Sequence, residues 1–211
     1  MKVLIKCAIC IILISKINIQ YVFCQSVPKK NTIRVNMELA NQYFMQKWPD
    51  PAQVTVTDKV RTSNLWTRGV SYEGMIALYK MTNDAKLLQY AIDWGEGNQW
   101  SLRFGSKSRH ADPMCAGQTY IDLYMMDPRP ERIEAIGTAV DSIVFSDKSN
   151  DWTWIDALQM AMPVFAKFAV LRNDKRYSER MYDLYIHTKY VEGGGLYNKD
   201  EGLWWRDKDF V

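Results

Sequence analysis

The chain is poor in cysteine, and the few it has are badly placed for crosslinking. Of four cysteines in 211 residues, Cys7, Cys10 and Cys24 fall in the first 25, which leaves Cys115 as the one thiol after them. An intramolecular disulfide beyond the leader is therefore excluded, and an ordinary apolar core must hold that part together. An excess of one charge is missing too. The whole chain has 27 Lys+Arg against 24 Asp+Glu, but three lysines precede residue 26, so residues 26–211 carry 24 of each sign. A balanced surface offers no footprint for DNA, RNA or an anionic membrane. No useful length of strand-like alternation interrupts the apolar pattern, so the class read from the sequence is all-α.

The first 25 residues have the layout of a secretory signal. Lys2 and Lys6 precede an apolar run from Cys7 to Ile14, and Lys16 and Asn18 then break it too early for a membrane span. Cleavage near Gln25 predicts an exported protein, periplasmic or extracellular, with no membrane attachment once the leader is gone. Cys24 raises lipid anchoring, against which the bulky Phe23 argues. Residues 26–211, 186 in all, then suffice for one domain.

Along that domain the apolar residues recur at helical spacing. Helices are expected over 34–48, 69–81, 85–94, 114–126, 131–144, 155–171 and 177–190, with Gly193-Gly194-Gly195 as a stop. Asn83-Asp84, Asp127-Pro128 and Asn173-Asp174 break the chain at intervals of 44 and 46 residues, which marks a repeat of helical hairpins. In each pair the first helix is apolar nearly all round and the second keeps a charged face, an inner helix followed by an outer one. Small residues on the inner helices (Gly74, Ala77, Ala116, Gly117, Ala157, Ala161) predict tight packing in a closed ring. Six pairs of ~45 residues would need roughly 270 residues before loops. This chain supplies about three and a half hairpins, so an incomplete barrel is expected, or a truncated product of a longer gene.

Two aspartates 44 residues apart, Asp112 and Asp156, open successive inner helices and so face the same end of the array. Adjacent carboxylates cannot both ionise cheaply, so one stays protonated beside an anion, the minimum equipment for acid/base work on a sugar. Either alone reads first as a helix cap, and it is the pair at repeat-equivalent positions that points to a site. His110 is a loop histidine or an orienting group for a substrate carboxylate or hydroxyl. Arg68 and Arg206 are candidate partners for an acidic sugar, or solvated surface. Tryptophans cluster at segment starts (Trp66, Trp94, Trp100, Trp152, Trp154, Trp204, Trp205), where they stack on sugars or fill the core. One Cys with one nearby His lacks the ligand count of a zinc site, so neither a metal nor a cofactor is expected.

These residues carry a resemblance. Trp66-Thr67-Arg68-Gly69-Val70 with Gly74 and Leu78-Tyr79, His110-Ala111-Asp112 with Cys115-Ala116-Gly117-Gln118, and Trp154-Ile155-Asp156-Ala157-Leu158 with Met160 and Pro163 resemble the motifs of the unsaturated rhamnogalacturonyl hydrolases. That glycoside hydrolase family is related to the unsaturated glucuronyl hydrolases. Gly194-Gly195-Leu196-Tyr197 and Gly202-Leu203-Trp204-Trp205-Arg206-Asp207 resemble the family's next segment, and the likeness covers residues 34–211. It implies an (α/α)6 barrel, a six-hairpin toroid, acting on pectin-type oligosaccharides left by polysaccharide lyases. The implied chemistry is hydration of a vinyl ether: C4 is protonated, charge develops toward C5, water adds there, and the hemiketal opens.

By motif, Asp156 matches the general acid/base and Asp112 the second carboxylate. Trp66 falls in the subsite for the unsaturated ring, and His110, Trp154, Arg68, Trp205 and Arg206 complete the candidate binding set. Pro113 stands where many relatives have a second acid, and the later Trp-x-Arg-Gly-Asn segment is absent. With one wall of the cleft lacking, the chain alone is expected to be poorly soluble or inactive. The alternatives are another inverting glycosidase on an α/α toroid, or a non-catalytic helical repeat that binds glycans or proteins. The sequence does not specify an oligomeric state.

Overall fold

Helix-favouring, apolar-periodic segments separated by Asn-Asp and Asp-Pro breaks fold as antiparallel hairpins. The computed structural model describes residues 27–211; the leader, with Cys7, Cys10 and Cys24, lies outside the described residues. The chain divides into two units, Met1–Ile33 and Arg34–Val211. The helices of the second unit are α1 (Lys30–Lys47, which begins before it), α2 (Trp66–Thr82), α3 (Ala85–Gly97), α4 (Met114–Met126), α5 (Glu131–Val144), α6 (Asp156–Leu171) and α7 (Arg176–Tyr190). The expected α4 and α5 match residue for residue, whereas α1, α2 and α3 run longer than the periodicity suggests.

Two short ribbons go beyond the all-helical expectation. β1 (Thr55–Val56) pairs antiparallel with β2 (Val60–Arg61), and β3 (Tyr197–Asn198) with β4 (Leu203–Trp204). Strands of two residues leave no alternation to read, which is why the sequence pattern is silent on them.

Local chemistry sets the turns. Asn83 takes the left-handed conformation at φ 56° and returns its N–H to the Tyr79 carbonyl, closing α2. Asp84 then caps α3 by accepting from the Lys86 amide at 2.9 Å. Asn173 and Asp174 repeat the device before α7, with Asn173 at φ 47° and the Asp174 carboxylate accepting from the Arg176 amide at 3.0 Å. The middle turn uses prolines instead, and Arg132 stabilises it. Its guanidinium, 2% exposed, donates to the Leu123 and Asp127 carbonyls at 2.9 Å each and meets the Asp127 carboxylate at 3.1 Å.

The inner helices α2, α4 and α6 stand side by side in an arc, each backed by the outer helix that comes after it. α4, in the middle, is buried from Met114 through Ile121. It meets α2 where Gly69 faces Cys115: a Cβ on Gly69 would come within 3.1 Å of the Cys115 Cβ. Trp94 and Trp152 are fully buried, with the Tyr72 ring stacked on Trp94 at 3.8 Å, so these tryptophans are core. The predicted tight packing holds for Ala116, Gly117, Ala157 and Ala161 but not for Gly74 and Ala77, which are exposed. They lie on the free flank of α2 with Val70 and Met81, while Ala166 and Val170 are open on α6. Both ends of the arc thus present apolar inner-helix surface to water, as an incomplete barrel must.

On the concave side Glu73 of α2 accepts from the Gln159 side-chain amide of α6 at 2.9 Å. Its other carboxylate oxygen is buried without a partner, and burial pushes its pKa up to about 7 despite that amide and Lys167. A carboxyl raised in the folded state favours its protonated form. Glu73 therefore costs nothing below its ordinary 4.5, costs progressively more as pH rises toward 7, and holds a constant cost above. Glu73→Gln is expected to raise stability at pH 8 by about 1 kcal/mol, the shift being discounted for partial exposure. At pH 4 it should change nothing. Thermal melts across that range check this; equal gains at both ends would refute it.

Candidate functional site

Because outer helices α3 and α5 carry the chain back, α2, α4 and α6 all begin at one rim of the arc. Trp66 is the first residue of α2, Asp112 lies two residues before α4, and Asp156 is the first residue of α6. Neither aspartate is a cap: Pro113 and Ile155 occupy the cap positions, without side-chain cap bonds. The capping alternative is thereby removed for both, and the carboxylates face a cleft of about 580 Å³. Trp66, His110, Trp154 and Arg206 line the same cleft, joined by Thr153 and Met160.

Each wall is fixed by contacts far apart in sequence. Arg109 forks onto Asp151 at 2.7 and 2.6 Å and also donates to the Ser142 carbonyl, binding the His110–Asp112 loop to the segment that leads into α6. Arg206 is brought in by backbone, and its guanidinium pairs with the Asp207 carboxylate at 2.5 Å. Trp154 and Asp207 form an isolated antiparallel bridge, and the Ile155 amide donates to the Arg206 carbonyl at 2.8 Å. Beneath the aspartates, Pro163 inside α6 lacks the N–H that would serve the Gln159 carbonyl. The Gln118 side chain of α4 supplies the missing donor at 3.0 Å, with a second bond to the Met160 carbonyl at 3.2 Å. This cross-link ties together the two helices that open on the carboxylates.

The electrostatics are unequal. Burial pushes Asp112 above the usual carboxylate range; His110 and Arg103 oppose the shift, and the nearby Asp156 charge adds to it. Asp156 is exposed, and among the described residues nothing donates to its carboxylate. The Asp112 amide approaches Nδ1 of His110 at 3.2 Å, and the Asp112 carboxylate lies 3.7 Å from the same nitrogen. His110 also lies 4.8 Å from the Trp154 ring. Among the described residues no group of three or more His, Cys, Asp or Glu side chains is gathered as a metal site would require.

Two expected members of the site lie elsewhere. Arg68 is buried on the side of α2 away from the cleft, stacked 4.2 Å over Trp48 and donating to the Gln53 and Pro51 carbonyls at 2.5 and 2.7 Å. Residues two apart on a helix do not share a face, so Trp66 and Arg68 are poor candidates for one site. Trp205 is half-buried, holds the Leu196 carbonyl through its amide, and does not line the cleft. Thr153, Met160, Arg103 and Arg109 escape the sequence reading as site residues. Of these, Met160 alone leaves a signal, one helical turn after Asp156.

A helical arc that gathers two carboxylates, two indoles, an imidazole and a guanidinium at one rim has the fold and equipment of the α/α-toroid carbohydrate-active proteins. Glycosyl Hydrolase Family 88 matches residues 36–211, and the chain belongs to that family. A curated relative, the unsaturated 3S-rhamnoglycuronyl hydrolase of Formosa agariphila, is 30% identical over an alignment of 161 residues that covers 69% of this chain and 41% of the relative. Two solved structures share the fold. One, described as polysaccharide lyase BACCELL_00875, has a TM-score of 0.73 at 22% identity, covering 86% of this chain and 51% of its own. The other, a glycosyl hydrolase family 88 protein from Bacteroides vulgatus, has a TM-score of 0.71 at 24% identity, with 84% and 51% covered. The chain thus spans about half the length of these solved structures and less than half of the curated relative.

Proposed function

We propose that the cleft binds lyase-derived oligosaccharides that end in a 4,5-unsaturated uronic acid, and releases that residue by hydration of its vinyl ether. The observation that carries this reading is the meeting of Asp112 and Asp156 in one aromatic-lined cleft of a family 88 chain. Asp156 donates the proton to C4, and Asp112, at the start of the neighbouring inner helix, polarises the substrate and steadies the charge that develops toward C5. Water adds at C5, and the hemiketal opens to free the sugar.

Trp66 and Trp154 offer faces for the unsaturated ring, the His110 imidazole donates to a ring oxygen, and Arg206 takes the uronate carboxylate. The relative named for an unsaturated rhamnoglycuronyl substrate supports a rhamnose-linked uronyl group here. A pectin-type oligosaccharide is the candidate substrate, and the leader-like first 25 residues support export as the setting.

The test is a rhamnogalacturonan lyase digest mixed with the protein at high concentration. With Asp156 open to water, loss of the ultraviolet absorbance of the 4,5-double bond is expected to be slow. Quenching of tryptophan fluorescence by the unsaturated disaccharide is expected alongside it. A chain that neither binds the disaccharide nor consumes the double bond sinks the reading.

A further inference from the structure

Outside the cleft, the loop between α3 and α4 carries a ring and a cation that the proposed reaction leaves unused. The loop turns at Gly105, whose φ of 79° is a glycine conformation, and presents Phe104 50% exposed. Phe104 meets the His110 ring edge-on at 5.6 Å, and His110 lies 4.8 Å from the Trp154 ring. His110 and Trp154 line the cleft and Phe104 does not, so the three rings continue one another from its interior out across the rim. The Arg103 guanidinium sits 5.0 Å from the Phe104 ring. Among the described residues it forms no ion pair, yet its charge is felt by Asp112 inside the cleft.

We propose that Phe104 and Arg103 form an outer subsite for an acidic sugar, one residue or more beyond the sugar that carries the departing uronyl group. This assignment rests on the proposed function. The phenyl face supports the C–H face of a pyranose, and the guanidinium takes the uronate carboxylate in a forked, charge-assisted hydrogen bond. A chain long enough to cross the rim gains both contacts; a disaccharide gains neither. The protein therefore discriminates by length and by charge.

Calorimetric titration of the full chain with the unsaturated di- and tetrasaccharides of a rhamnogalacturonan lyase digest tests this. The unaltered protein is expected to prefer the tetrasaccharide by about tenfold, the scale of one good aromatic or ionic contact. Phe104→Ala should cut that ratio to about threefold, leaving the Arg103 contact, and Phe104→Tyr should keep it. Reducing the distal carboxylate should weaken the tetrasaccharide for the unaltered protein and have no further effect in Arg103→Gln. A ratio unchanged by Phe104→Ala overturns the subsite alone, as does an unaltered protein that binds both sugars equally. If neither sugar binds at all, the subsite falls together with the reading of the cleft.

Discussion

Asp156→Asn is expected to hold the unsaturated disaccharide about as well as the unaltered chain while turning it over about 10²–10⁴-fold more slowly, the usual worth of a positioned acid. The structure favours a clean experiment. Asp156 is exposed at the first position of α6, and among the described residues no donor depends on its carboxylate, so the isosteric amide removes a proton without disturbing a contact. Loss in kcat with KM preserved identifies a group that acts in the transition state alone. Asp112→Asn is expected to behave differently, weakening binding as well, because its half-buried carboxyl faces His110 and the charge of Arg103. Fluorescence titration and double-bond loss, run on both variants, separate the two roles. If Asp112→Asn loses only turnover and Asp156→Asn only affinity, the assignments must be exchanged, an outcome that the raised Asp112 would then explain.

The second large effect lies in the hairpin that backs the site. Arg132→Ala is expected to cost about 3 kcal/mol, because it removes a buried guanidinium from two carbonyls and leaves a cavity beside Trp100. For a domain of this size that is a fall in Tm of roughly 6–12 °C. Arg132→Met should cost roughly half as much, since the thioether refills the space over Trp100 and only the hydrogen bonds are lost. Differential scanning calorimetry of both variants decides it. An alanine variant melting with the unaltered protein would mean that the α4–α5 turn holds without its arginine.

Much of this architecture is legible because hairpin repeats write themselves twice, in apolar periodicity and in the Asn-Asp punctuation between helices. The pairing of Asp112 with Asp156 comes from that period alone. Other parts depend on partners no local pattern announces. Arg68 reads as a substrate cation until the fold gives it the Gln53 and Pro51 carbonyls. Arg109 reads as any loop arginine until Asp151, 42 residues on, closes the fork. The raised carboxyl of Asp112, the member expected to stay an anion, is equally hidden, because the burial that raises it comes from the fold. The Gln118 bond to the Gln159 carbonyl belongs to the same class: Pro163 announces an orphaned acceptor, but not which neighbour supplies the donor.

The bridge between Trp154 and Asp207 separates where the cleft is gripped from what does the gripping. Main-chain hydrogen bonds locate residue 206 whatever its side chain, as a strand locates any residue along it. Arg206 is in that sense an interchangeable head on a fixed mount. On the proposed reading, a glutamine or histidine there would release the Asp207 carboxylate and meet a different sugar substituent, with the backbone mount unchanged.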